Sequence, residues 1–132
     1  MTLNKESSAS VVEEMDLTRV ANEKCLYLTT TGRRTGRPHT VEVWFAVARG
    51  ALYLSHEGTY TDWMKNLLRN PRVAFTIRDL AGSGLARLVG QGDAFERGKS
   101  ALYRKYYGDA GQAVIDDWFS ESTVIEIMVA AD

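Results

Sequence analysis

The stretch CLYLTTTGRRTGRPHTVEVWFAVARGALYLS, residues 25–55, decides the fold. Its first seven residues are rich in β-branched and aromatic side chains, which favours a strand. Two glycines and a proline within residues 32–38 then break that strand. From His39 to Arg49 the polarity alternates with period two. Val41, Val43, Phe45 and Val47 share one face, while Thr40, Glu42, Trp44, Ala46 and Ala48 share the other. The pair Arg49-Gly50 predicts a hairpin into a further short strand over residues 51–55, so the whole stretch reads as an antiparallel meander.

Downstream the period changes. Trp63, Met64, Leu67 and Leu68 recur at helical spacing, with Thr61 or Asp62 as cap and Asn70-Pro71 as terminator. A strand follows over residues 73–77, with Val73, Phe75 and Ile77 on one face. Gly82-Ser83-Gly84 is expected as a flexible turn, and residues 85–95 as a strand interrupted by Gly90 and Gly92. Helices are expected over 96–107 and 111–119, the latter with Val114, Ile115 and Trp118 on one side, and a last strand over 123–129. Upstream, Ser10 and Glu13 form a capping-box pattern for a helix over 11–20, preceded by a loose arm at residues 1–10.

At 132 residues the chain supports one hydrophobic core. The element order predicts a mainly β (α+β) domain over residues 11–132, a small antiparallel barrel closed by its last strand with peripheral helices. A composition 45% hydrophobic and 25% charged is that of a globular protein. The net charge of −1 disfavours a nucleic-acid or anionic-membrane partner, so any anion binding must be local. Cys25 is the single cysteine, which excludes an intrachain disulfide and a cysteine zinc site and reads as a small core residue. No apolar run approaches the ~20 residues of a membrane span. Residues 1–10 lack the basic and apolar regions of a secretory signal, so a cytoplasmic location is expected.

Between Thr29 and Val41 lie three arginines, one histidine and no acid. Glycines at 32 and 36 would permit positive φ and let backbone N–H groups converge on an anion as a nest. Thr30, Thr31 and Thr35 add hydroxyls, and arginine forks suit phosphate or carboxylate oxygens. A solvated, charged hairpin loop accounts for the same residues equally well. Neither G-x-x-x-x-G-K-[ST] nor G-x-G-x-x-G is present.

Four segments together carry a resemblance: Leu28-Thr-Thr-Thr-Gly-Arg-Arg-Thr-Gly-Arg-Pro38, Val43-Trp44-Phe45, Tyr53-Leu-Ser-x-x-Gly58, and Trp63-x-x-Asn66-Leu67-x-x-Asn70-Pro71-Arg72-Val73. This pattern resembles the deazaflavin (F420)-dependent nitroreductase family of the flavin-binding split β-barrel superfamily, which includes pyridoxamine 5'-phosphate oxidase-like proteins. The resemblance implies a six- or seven-stranded antiparallel split β-barrel. It implies an oxidoreductase that passes a hydride from coenzyme F420 to a small conjugated acceptor such as a quinone or nitro compound. FMN is the alternative cofactor, because the Val-Trp-Phe strand is similar to that of split-barrel relatives that use it. A binding module that carries or senses F420 or FMN without turnover is the alternative function.

Carried over by position, Thr31, Arg33, Arg34, Thr35, Gly36, Arg37 and His39 would meet the phosphate and acidic tail. Val43 and Trp44 would approach the deazaflavin ring. Ser55, His56 and Gly58 would form a second phosphate-contacting loop, braced by Trp63 and Asn66. Tyr103, Tyr106 and Tyr107 recur at i, i+3, i+4, which is helix packing or, by the resemblance, a substrate-side wall. Trp118 and Phe119 read as core or dimer interface, and a homodimer is expected because split barrels commonly pair. His56 beside Glu57 has no metal-ligand spacing, so no metal site is expected, and no acid–base catalytic constellation can be argued.

Overall fold

A computed structural model of the chain describes residues 17–57, 60–120 and 122–130. Seven strands are present: β1 (Cys25–Thr31), β2 (Pro38–Trp44), β3 (Ala46–Ala48), β4 (Ala51–Glu57), β5 (Arg72–Ile77), β6 (Leu80–Val89) and β7 (Ser122–Val129). Three helices accompany them: α1 (Asp62–Arg69), α2 (Asp93–Tyr107) and α3 (Gln112–Trp118). Residues 17–20 are also helical and bury Leu17 and Val20. The rest of the helix expected over 11–20, and the arm at 1–10, lie outside the described residues.

The strands form one sheet in the order β2-β1-β5-β6-β7-β4-β3, antiparallel at every step. Its two edges are consecutive pieces of one segment. β2 pairs with β1, and after Phe45 the chain changes partner, so that β3 pairs with β4. No ladder joins β2 to β3. The sheet curls until its edges meet end to end at Phe45, which is the architecture of a split barrel. The last strand does not close the barrel as expected: β7 lies inside the sheet, pairing with β6 on one side and β4 on the other, and the edges are β2 and β3.

The period-two reading of residues 39–49 holds, and both faces are used. Phe45 is buried inside the barrel with Leu26, Leu28, Leu52, Leu54, Phe75, Ile125 and Ile127, and Val41, Val43 and Val47 pack against this group. Ala46 is buried on the outer face, in a second cluster with Tyr53, Leu102, Ile115, Phe119 and Val124 beneath α2 and α3. The Arg49-Gly50 hairpin also stands, with φ of 50° and 73° at its two central residues, the conformation that two-residue hairpins favour.

Two further expectations are corrected. Gly82 and Gly84 are not a turn but inward-facing positions of β6. A Cβ at Gly82 would lie 2.6 Å from Cζ of Phe75, and one at Gly84 would collide with the Met128 carbonyl. These glycines make room for neighbours that fill the barrel. The turn falls earlier, at Arg78-Asp79, where Arg78 takes a φ of 59°. Strand β6 therefore spans 80–89 and not 85–95. Helix α2 begins at Asp93, directly after Gly92, whose carbonyl accepts the Glu96 N–H at 3.0 Å.

Helix α2 is fastened to the outer face of the sheet by a buried polar network. Tyr53 donates to Glu126 Oε2 at 2.6 Å, Arg87 Nε donates to Oε1 at 2.8 Å, and Arg97 from α2 donates to the Tyr53 hydroxyl at 3.1 Å. Burial pushes the Glu126 carboxyl pKa up. The hydrogen bonds from Tyr53 and Arg87, with attraction to Arg87 and Arg97, outweigh burial and hold it below the ordinary value.

A depressed pKa means that the stabilisation is present above the unfolded value of about 4.3 and is lost as pH falls through the folded value. Urea titrations between pH 6 and 3 should therefore show wild-type stability falling more steeply than that of Glu126→Gln. At Gly84, substitution by Val should cost about 2–3 kcal/mol through overpacking. Gly90→Ala, with nothing within 4 Å of its Cβ, should stay within about 0.5 kcal/mol in the same measurement.

Candidate functional site

The basic turn connects β1 to β2 and closes on itself. Gly32 N–H donates to the Arg37 carbonyl at 2.7 Å, Gly36 N–H to the Gly32 carbonyl at 2.8 Å, and Arg37 N–H to the Thr35 hydroxyl at 3.2 Å. The Arg33 N–H donates to Asn66 Oδ1 at 3.1 Å. This corrects the expected anion nest, because four main-chain donors of the turn are already engaged within the protein. Only Gly36 takes a positive φ, 74°. Gly32 is needed for proximity instead, since a Cβ there would lie 2.8 Å from Nε2 of His39. The side chains therefore make up most of the donor capacity that the turn keeps.

Asn66 holds the turn in place. It sits on α1, 3% exposed, one residue before the core residue Leu67. Its Oδ1 also accepts from the Arg33 guanidinium at 2.9 Å, and its Nδ2 donates to the Thr30 hydroxyl at 3.2 Å. Arg33 reaches Asp62 at 3.2 Å as well. Asn66 therefore braces the basic turn, not the second loop. Trp63 does reach toward that loop, meeting the His56 ring edge-on with centroids 5.8 Å apart.

Above this frame opens a cavity of about 420 Å³ lined by Gly32, Arg33, Arg34, Thr35, His39, Thr40, Val41, Asp62, Trp63 and Asn66. Its size lies within the range of small-molecule sites. Of the residues expected to hold a cofactor, six meet here: Arg33, Arg34, Thr35, His39, Trp63 and Asn66. Thr31, Gly36 and Arg37 belong to the same turn without lining the cavity. Among the described residues Arg34 and Arg37 form no ion pair, whereas Arg33 is bound to Asn66 and Asp62. Gly58 lies outside the described residues.

A second group gathers about Trp44. Ser55, Tyr103, Tyr106, Tyr107 and Trp118 close around it, leaving a cavity of only about 10 Å³. The Trp44 indole stacks on the Tyr106 ring with centroids 4.2 Å apart and planes 13° from parallel. Tyr107 and Trp44 are exposed at the margin. Val43 turns its side chain into the barrel core, leaving its main chain on the strand. Tyr103 and Tyr106 pack against the outer core, as the helix-packing reading expects.

Two residues to which the sequence reading gave no site role also belong here, Lys105 beside the Tyr106 ring and Asp62 in the lining of the basic cavity. Lys105 Nζ donates to the Phe45 carbonyl at 2.8 Å, and burial lowers its pKa to about 8. Asp62 enters through its ion pair with Arg33. Neither had a local signal: the lysine is 60 residues from its acceptor. Glu126 had one, as a lone acid in the apolar run TVIEIMV.

The paired arginines, hydroxyls and histidine at a cavity of this size form the donor set that a phosphorylated, acidic cofactor requires. Residues 5–116 match the family described as F420H(2)-dependent quinone reductase. The chain belongs to that family. It is accordingly an F420-dependent oxidoreductase by descent, and the residues lining the basic cavity fit the phosphate and carboxylate groups of such a cofactor. Among solved structures, a conserved hypothetical protein from Mycobacterium tuberculosis is similar at 23% identity and TM-score 0.73, over 87% of this chain and 79% of that one. A Bacteroides thetaiotaomicron protein, proposed as a 5-nitroimidazole antibiotic resistance protein, is 13% identical with TM-score 0.68, over 87% and 78%. An F420-H2 dependent reductase is 17% identical with TM-score 0.64, over 79% and 93%. At these identities the structures establish the shared split-barrel fold. No curated protein matches the chain.

Replacing Asn66 with Ala should leave the Arg33 amide and the Thr30 hydroxyl without their partner. We expect a loss of about 1–3 kcal/mol in urea unfolding, together with weaker F420 binding by fluorescence titration. Unchanged binding would show that the turn keeps its shape without this brace.

Proposed function

We propose that the protein transfers a hydride from reduced coenzyme F420 to a small conjugated acceptor such as a quinone or nitro compound. The observation that carries this reading is the path of β2. Thr40 and Val41 line the basic cavity, and Trp44 lies in the aromatic group. At the rise of a strand, Val41 and Trp44 are about 10 Å apart. One strand therefore joins a cationic end, suited to phosphate and carboxylates, to an apolar end, suited to flat rings.

When bound, F420 supplies the hydride. Arg34, Arg37 and His39 bind its anionic groups, and the main chain at Val43 and Trp44 orients its ring. Tyr103 and Tyr107, beside Trp44, offer the acceptor an apolar wall that limits water. Solvent provides the proton that completes the reduction. This division of labour requires no acid–base pair in the protein, since binding and orientation are its contribution.

Two charge-assisted contacts are at stake in the double substitution Arg34→Ala with Arg37→Ala. F420 affinity, read by fluorescence titration, should fall about 100-fold or more. Wild-type affinity should also decline as salt screens the exposed arginines. An unchanged affinity in the double variant contradicts the assignment of the turn. Tighter binding of FMN than of F420 by wild type would transfer the site to FMN.

A further inference from the structure

Phe45 belongs to neither ladder, yet it is 0% exposed, so both of its main-chain polar groups need partners inside the protein. Both come from the end of α2. The Phe45 N–H donates to the Tyr106 hydroxyl at 3.0 Å. Lys105 Nζ donates to the Phe45 carbonyl at 2.8 Å and lies 3.5 Å from the centroid of the Phe45 ring. The Tyr106 hydroxyl has a single proton and two carbonyls in reach, Lys24 at 2.6 Å and Phe45 at 2.9 Å. Burial pushes the Tyr106 pKa up to about 12, so the group remains a phenol near neutral pH.

We infer that Tyr106 and Lys105 are positioning residues that fix the two peptides flanking Phe45, Trp44–Phe45 through its N–H and Phe45–Ala46 through its C=O, and that the Tyr106 hydroxyl serves the main chain and not the acceptor. This inference rests on the reading that Trp44 approaches F420. Tyr106 acts on Trp44 twice, through the adjoining peptide and through the ring stack. Its hydroxyl also ties the carbonyl of Lys24, the residue before β1, so the start of β1 and the end of β2 are held by one oxygen. Lys105 holds the carbonyl of the next peptide, Phe45–Ala46, and forms no ion pair among the described residues. Without the pair, the buried N–H and C=O of Phe45 would lack partners, and the end of β2 would shift to find them. The strand end that shifts is the one that carries Trp44.

The test compares Tyr106→Phe, Lys105→Met and Lys105→Arg with wild type. F420 affinity is measured by fluorescence titration, thermal midpoint by unfolding, and KM for a small quinone by steady-state kinetics. Near-UV circular dichroism reports the Trp44–Tyr106 stack. Tyr106→Phe keeps the ring and removes only the hydroxyl. We expect it to weaken F420 binding about tenfold, the size of one buried hydrogen bond, with quinone KM unchanged and the near-UV signal altered. Lys105→Met should do the same, and Lys105→Arg should restore binding. A purely structural role would lower the thermal midpoint and leave affinity at 25 °C untouched. A raised quinone KM with unchanged F420 affinity in Tyr106→Phe would place the hydroxyl on the acceptor and overturn the inference. So would unaltered affinity in all three variants. Absence of F420 binding by wild type would overturn the cofactor reading and, with it, this inference.

Discussion

The peptide at Phe45 is the constraint on which the architecture turns. A strand that pairs first with β1 and then with β4 must leave one ladder before it enters the other. The residue at the switch has no strand partner, and burying its N–H and C=O unpaired would cost several kcal/mol. Helix α2 resolves this by bringing Tyr106 and Lys105 to the break. The helix must then lie close to the sheet. Gly98 allows it, since a Cβ there would fall 2.6 Å from the Tyr53 ring. Arg97, one residue earlier, joins the Tyr53–Glu126 network. The close approach, the buried carboxylate and the strand switch are parts of a single docking event.

That docking also places the two ends of the site. The aromatic group around Trp44 exists because α2 lies over the outer face of β3, β4 and β7 and, with α3, brings its aromatic side chains to the end of β2. The basic cavity depends on a different helix, α1, whose Asn66 fixes the turn from below. β2 runs between them, so its register against β1 determines the distance from charge to aromatic surface. A slip of one residue would reverse every side chain of β2. The seven paired positions from Cys25↔Trp44 to Thr31↔Pro38 make such a slip costly.

Much of this was legible in the sequence, and the limits have physical causes. Period two along residues 39–49 gave both faces correctly, because Val41, Val43, Phe45 and Val47 face the barrel core while Thr40, Glu42 and Trp44 stay exposed opposite them. The helical spacing of Trp63, Met64 and Leu67, closed by Asn70-Pro71, was equally clear. Gly82-Ser83-Gly84 misled because small residues mark turns and also mark positions opposite a large ring, and only the Phe75 partner separates the two. The internal hydrogen bonds of the basic turn could not be read either. A glycine-rich sequence specifies that the chain can turn, not where its N–H groups point. The role of Lys105 was invisible for a simpler reason, that its acceptor is a carbonyl distant in sequence and carries no residue signature.

The closure of the basic turn bears on which ligand it can hold. A nest of main-chain donors grips one compact phosphate, because fixed dipoles converge on a single point. Here Gly32, Arg33, Gly36 and Arg37 direct their N–H groups into the protein. On the proposed reading the anion is met by Arg34, Arg37 and His39, which are exposed and spread along the turn. Exposed guanidinium groups lose side-chain entropy on binding and are screened by salt, so each contributes modestly to a single phosphate. Their contributions add when one ligand carries several anionic groups along its length, because the cost of immobilising the ligand is met only once. On that reading the turn favours an extended polyanion over a mononucleotide, which is a physical ground, beside the family match, for proposing F420 with its phosphate and acidic tail over FMN.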